Sequence, residues 1–215
     1  MLFSVLIGAA ATLYFLARAA YLKLKLMLGG KKDGVALDSG YKKYVIYNEG
    51  KQYWNTFLPV AEEFEKRKIE LSFYTSAKDD PVFDTNWTYV KPEFIGEGNA
   101  AFAKLNMLSA GFVLMTTPGL QVYQLKNVKH YSHVVHMPND ATTYRLFGLD
   151  SFDSVLLTGD YQGNDLRLLE NMRGTKKKDL VTVGCTYLDV YQKNIEEIED
   201  EKDHPFTVLV SPSWG

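Results

Sequence analysis

The sequence of 215 residues contains one cysteine, Cys185, and no excess of charge of either sign. A single cysteine excludes an internal disulfide and any metal site built from several cysteines, and it suits a reducing compartment. The 24 basic and 26 acidic residues give a net charge of -2. No electrostatic field would therefore gather nucleic acid, and we expect no nucleic-acid partner.

Three glycine-rich signatures of common enzyme classes are also absent. No Gly-x-Gly-x-x-Gly follows the first predicted strand, no Gly-x-x-x-x-Gly-Lys-Ser/Thr occurs, and no Gly-x-Ser-x-Gly is present. The sequence therefore lacks the motifs typical of dinucleotide oxidoreductases, P-loop enzymes and α/β hydrolases. The sequence predicts no bound cofactor.

The amino terminus differs in kind from the rest of the chain. Residues 1–17 carry no charge, and the first basic residues, Arg18, Lys23 and Lys25, follow this apolar run. About 17 to 25 apolar residues are needed to cross a bilayer, and flanking positive charge is retained on the cytoplasmic side. We predict a membrane anchor at 1–28 and a linker at 29–40, with the main domain on the cytoplasmic side of the cell membrane. The alternative is an interfacial helix with snorkelling lysines.

Residues 41–205 alternate short β-branched or aromatic runs with longer amphipathic segments. This alternation predicts an α/β fold, a Rossmann-like parallel sheet with helices on both faces. Residues 206–215 are expected to form the first strand and turn of a second domain. The predicted strands cover 44–47, 69–74, 88–95, 111–116, 129–136, 150–158 and 180–184, and the predicted helices cover 52–66, 99–108, 120–125, 161–173 and 187–201.

A histidine-containing strand carries the candidate general base. His130, His133 and His136 recur every third residue. On a strand the first and last share one face while His133 points to the other, so the three are not expected to bind one metal ion. His136 ends the strand at the carboxyl edge of the sheet, where ligands bind in this architecture. A neutral imidazole there can accept a proton near pH 7, which makes His136 the first candidate and His133 the second.

Two turns should meet at the same edge. The first contains Glu49, Gly50 and Tyr53, and its glycine allows backbone to approach a ligand. The second contains Thr117, Pro118 and Gly119 and offers a hydroxyl group near a helix start. Each turn alone is explained by ordinary capping, so their convergence on one edge is what predicts a cleft.

Three polar or reactive features are interpreted structurally. Asp79 and Asp80 precede a proline and are typical of a solvated turn. Cys185 follows a predicted strand and is expected to serve in packing. The basic run at 176–178 is expected to be a solvated loop, with only nonspecific attraction for phosphate.

Four blocks of the sequence resemble the CDP-glycerol glycerophosphotransferase family, in its membrane-anchored, teichoic-acid-synthesis-like branch. The resemblance covers roughly residue 41 to the end. The blocks are Tyr47-Asn-Glu-Gly-Lys-Gln-Tyr-Trp54, Phe94-Ile-Gly-Glu-Gly-Asn-Ala-Ala-Phe-Ala-Lys-Leu-Asn106, Leu114-Met-Thr-Thr-Pro-Gly-Leu-Gln-Val-Tyr-Gln-Leu-Lys126 and Val183-Gly-Cys-Thr-Tyr-Leu-Asp189.

The resemblance implies a GT-B architecture, in which an amino-terminal domain holds the acceptor and a carboxy-terminal domain holds the nucleotide. It implies transfer of glycerol phosphate from CDP-glycerol to a hydroxyl of a glycerol-phosphate or glycan-lipid acceptor, with release of CMP, in cell-envelope synthesis. His136 takes the place of the family's base, and the two turns become acceptor-binding. The usual Trp-His-Gly-Thr-Pro is not intact here, so His133 stays an alternative.

Two other functions remain open at this point. The first is a GT-B glycosyltransferase that uses a sugar nucleotide. The second is a non-catalytic, membrane-tethered binding module. Since the donor-binding half is expected beyond residue 215, we expect no catalysis from this chain alone.

Overall fold

The computed structural model describes residues 40–118, 127–141, 144, 147–196, 208 and 210. The predicted anchor at 1–28, most of the linker at 29–40 and the predicted helix at 120–125 lie outside this range. So does the expected start of a second domain, apart from residues 208 and 210. Within the described ranges, none of the helices has both the length and the apolar character needed to span a bilayer.

The described chain forms one seven-stranded sheet in the order β3-β2-β1-β4-β5-β6-β7, with every neighbouring pair parallel. This arrangement confirms the predicted α/β fold with a Rossmann-like parallel sheet. The strands are β1 Lys42–Asn48, β2 Leu71–Thr75, β3 Val90–Phe94, β4 Ala110–Met115, β5 Val128–Val134, β6 Ser154–Leu157 and β7 Asp179–Thr182. The helices are α1 Trp54–Lys66, α2 Asn99–Leu105, α3 Asp160–Arg173 and α4 Thr186–Glu196.

Apolar side chains cover both faces of the sheet. In β1, Val45 and Tyr47 pack into one core, which includes residues of α2 and α3, while Ile46 packs into a second core with α1. Strand residues alternate between faces with a period of two, so a continuous apolar run is what a strand covered on both sides requires. The central strand β1 is therefore buried on both faces.

Helix α1 shows how the sequence pattern becomes packing. Phe57 and Ala61, four residues apart, are completely buried against the sheet, as expected for positions on one helical face. Helix α4 contacts α1 in turn, since the Thr186 hydroxyl donates to the Thr56 carbonyl at 2.8 Å. The chain leaving β7 thus returns toward the carboxyl end of the central strands.

Two predicted strands differ from the observed ones for identifiable reasons. Strand β3 retains Pro92 because it lies at the edge of the sheet, where proline need not donate a ladder hydrogen bond on its open side. Strand β6 begins at Ser154 rather than 150. The preceding Asp153 accepts a hydrogen bond from the backbone of Tyr131 at 2.9 Å, so this segment is a side-chain-supported turn.

Candidate active site

The strand order places a topological switch point, where open α/β sheets form a crevice, at the carboxyl edge of the sheet. From β1 the chain moves to β2 and β3, and it then crosses back to place β4 on the other side of β1. The connections that leave β1 and β4 therefore diverge, and in open α/β sheets ligands bind at such a topological switch point. Both predicted turns follow these two strands.

Residue Glu49, in the turn after β1, reaches across the crevice to the turn after β4. The Thr117 hydroxyl donates a hydrogen bond to its carboxylate at 2.7 Å. Glu49 and Pro118 are exposed, and Thr117 is half-buried. The structure thus brings these three predicted residues to one rim, while Gly119 lies outside the described residues.

A buried carboxylate, that of Asp80, stabilises the turn after β1 through hydrogen bonds. Asp80 accepts hydrogen bonds from the Asn48 amide at 2.8 Å and from the Thr75 hydroxyl at 2.6 Å. Its other oxygen accepts from the backbone of Val82 at 3.1 Å. Gly50 is buried beside this network, with an extended backbone that any residue could adopt.

Asp80 corrects the expectation of a solvated acidic turn. Asp79 is exposed and pairs with Lys51, as that interpretation requires, but Asp80 is 1% exposed. The signal in the sequence was the following Pro81: aspartate before proline is typical of a helix amino-terminal cap, and Asp80 caps a short 3-10 helix there.

His136 lies two residues beyond the end of β5, which is the neighbour of β4. It is half-buried, and the Tyr53 ring meets it edge-on with centroids 4.9 Å apart. Burial lowers the pKa of His136 below its usual value. The imidazole is therefore neutral at pH 7 and can accept a proton.

One ring nitrogen of His136, the buried Nδ1, has no hydrogen-bond partner among the described residues. The hydroxyl of Thr116, at the end of the adjacent strand β4, is likewise buried without a partner in the described part of the chain. Buried polar atoms are nearly always hydrogen-bonded, so these unpartnered atoms, with the Nδ1 of His133 among them, indicate places where ordered water binds.

His133 has a different environment. It is fully buried, its Nε2 lies 3.1 Å from the Tyr144 hydroxyl, and the rings of Tyr144 and Phe152 meet it edge-on. Burial, and to a smaller extent the charge of His136, lowers the pKa of His133 to about 3. An enclosed imidazole cannot reach a substrate, so the geometry favours His136 over His133 as a base.

His130 lies on the same face of β5 as His136, as strand alternation predicts, but not at the same site. Its ring stacks on Phe112, and its Nε2 lies 2.8 Å from the Ser154 hydroxyl. Within the described ranges, no group of three histidine, cysteine or acidic side chains is placed to bind a metal ion.

Thr116 and the chain after β7 complete the site. Thr116 is the last residue of the predicted strand 111–116 and was not singled out, because no sequence pattern shows that its hydroxyl lacks a partner among the described residues. Cys185 donates weakly to the carbonyl of His136, with a sulfur to oxygen distance of 3.9 Å. Burial raises the pKa of the Cys185 thiol, which agrees with a packing role rather than a nucleophilic one.

Comparison of the chain with protein-family models, curated proteins and solved structures found no match. The case for a site at this edge rests on its geometry.

Proposed function

We propose that the chain is the acceptor-binding half of a membrane-associated CDP-glycerol glycerophosphotransferase with a GT-B architecture. The observation that carries the proposal is a neutral, half-buried His136, whose Nδ1 has no partner among the described residues, one strand away from the topological switch point. The resemblance of four sequence blocks to that family supplies the reaction.

In the proposed reaction an acceptor hydroxyl attacks the β-phosphorus of CDP-glycerol. A new P–O bond forms to the acceptor, the bond between the β-phosphorus and the bridging oxygen breaks, and CMP leaves with that oxygen. His136 takes the proton of the attacking hydroxyl, a role that contributes about 10²- to 10⁴-fold to rate in enzymes generally. A donor-binding half would stabilise charge on the leaving phosphate.

The surroundings of His136 suit an uncharged attacking group. The Tyr53 ring covers the imidazole edge-on, and the exposed Glu49 carboxylate at the rim would repel a closely placed anion. The acceptor would therefore present a free polyol or sugar hydroxyl here, and its phosphate groups would lie farther out.

The test uses the full-length gene product with CDP-glycerol and, separately, UDP-sugars, each with a glycerol-phosphate lipid acceptor. We expect CMP release that His136→Ala lowers by at least about 100-fold. His130→Ala is the matched control, because it removes a half-buried imidazole from the same face of the same strand.

Each alternative gives a distinct result. Release of UDP instead of CMP would identify a sugar-nucleotide glycosyltransferase. Acceptor binding without turnover of either donor would identify a binding module. Full activity in His136→Ala, with folding unchanged, would remove His136 from the mechanism.

A further inference from the structure

Large apolar side chains are exposed along the amino edge of the sheet, opposite the candidate active site. Tyr41 precedes β1, Met107 precedes β4, and Met172 lies in the last turn of α3; they are 55%, 67% and 74% exposed. Phe147 is 70% exposed, and the Arg173 guanidinium lies over its ring at 4.4 Å. In a parallel sheet all of these strand starts lie at one edge.

Lysines are interspersed with these apolar side chains. Lys43 lies in β1, with its ammonium group over the ring of Tyr44, and Lys129 lies in β5, with its ammonium group over Tyr41 at 5.5 Å. Lys176 and Lys177 follow α3 and are exposed. From the start of β1 to the start of β7 is four strand spacings, roughly 19 Å, so these groups lie along one edge of the sheet.

Most acidic groups at this edge form ion pairs or hydrogen bonds within the protein. Asp153 accepts from Lys176 at 3.1 Å and from the backbone of Tyr131. Asp150 is paired with Arg173. Among the described residues at this edge, Glu70, before β2, and Asp179, at the start of the outer strand β7, are exposed. These pairs also neutralise Lys176 and Arg173, so the edge presents apolar side chains together with the exposed Lys43, Lys129 and Lys177.

We propose that this amino edge lies against an anionic bilayer surface. Apolar side chains that insert at the headgroup level, flanked by lysines, are the combination that binds anionic lipid. Residue 40 enters β1 at this edge, so an anchor at 1–28 would hold the same surface toward the membrane. His136, at the opposite edge, then faces away from the bilayer and toward a second domain. The inference does not depend on the transfer reaction.

The test places a fluorophore at single sites of the full chain. Cys185 is first replaced by serine, and cysteine is then introduced as Met107→Cys, Met172→Cys or Met137→Cys for labelling with an environment-sensitive dye. Met137 is the matched control, a methionine 50% exposed just after the carboxyl end of β5. With phosphatidylglycerol vesicles we expect a blue shift and a several-fold brighter signal at 107 and 172, and none at 137.

The charge contribution is tested separately. Lys129→Gln with Lys177→Gln should raise the lipid concentration for half-maximal signal at 172 by about 30-fold, taking two lysines near an anionic surface. Lys51→Gln with Lys78→Gln, at the carboxyl edge, should leave it unchanged; Lys78 also lies over an aromatic ring, that of Phe94.

Three results would overturn the proposal. The first is an unchanged signal at 107 and 172, and the second is an equal rise at 137. The third is a concentration-dependent rise without lipid, which would assign the edge to a second copy of the chain. An equal response to phosphatidylcholine vesicles would remove the role of charge. CMP release is measured independently, so loss of either proposal leaves the other standing.

Discussion

The buried His133 makes the stability of the fold depend on pH. The ring is fully enclosed, and burial lowers its pKa to about 3. In the unfolded chain it titrates near 6.5. Below that pH the unfolded state binds a proton that the folded state does not bind. The free energy of unfolding therefore falls as the pH falls, and the loss is complete near pH 3.

The size of the effect follows from the difference between the two pKa values. Each unit corresponds to about 1.4 kcal/mol, so the full loss is on the order of 5 kcal/mol, and the loss at pH 5 is about 2 kcal/mol. His136, with its pKa also lowered by burial, adds a smaller loss in the same direction. Since ordinary carboxyl groups titrate near pH 4, histidines dominate between pH 7 and 5.

Urea unfolding followed by circular dichroism between pH 7.5 and 5.0 measures this dependence. His133→Asn should be less stable at pH 7.5 but should lose about 2 kcal/mol less on acidification than the unmodified chain. His130→Asn, which removes a half-buried histidine of the same strand, should keep the steep dependence. An identical pH slope in His133→Asn and the unmodified chain would refute the assignment of the linkage to this ring.

Three further predictions concern stability and are measured by urea unfolding at pH 7.5. Asp80→Ala should lower the free energy of unfolding by about 3 to 5 kcal/mol, because it leaves the buried amide of Asn48 and hydroxyl of Thr75 without their acceptor. A loss below about 1 kcal/mol would show that these hydrogen bonds contribute little to stability. Gly174→Ala should lower the free energy of unfolding by about 1 kcal/mol, because Gly174 caps α3 with a left-handed φ of +62, and an added Cβ would have nothing within 4 Å. Gly174→Asn should lower it less, since asparagine tolerates this backbone conformation better. Equal losses for the two variants would point to something other than backbone strain. Phe57→Ala should cost about 3 to 5 kcal/mol, because the ring is fully buried under α1, and a much smaller loss would mean that the site collapses around the cavity.

Element types were predictable from the sequence because they depend on local pattern. The period of three to four that places Phe57 and Ala61 on one face defined α1, and the uninterrupted apolar run in β4 indicated a strand buried on both faces. The strand order was not predictable, because the sequence does not specify on which side of β1 the fourth strand pairs. That order is what creates the switch-point crevice.

The contact between Glu49 and Thr117 illustrates what could not be predicted from the sequence alone. Each residue stood in a predicted turn, and the expectation that the turns share an edge followed from parallel strands alone. Their hydrogen bond at 2.7 Å requires in addition that β1 and β4 be neighbours. The buried position of Asp80 depends in the same way on the pairing of β1 with β2, which brings Asn48 beside Thr75.

The two histidines show how much depends on where one strand ends. His133 is the second-last residue of β5 and is fixed in the ladder opposite Met115, so its side chain must point into the core shared with Phe152. His136 lies just beyond the last ladder residue and on the other face, where Tyr53 from the turn after β1 meets it. A shift of one residue in register would exchange the faces and bury the other ring. Since Val134 and Val135 are apolar and fit either face of the sheet, the register of β5 against β4 and β6 decides which imidazole lies outside the core.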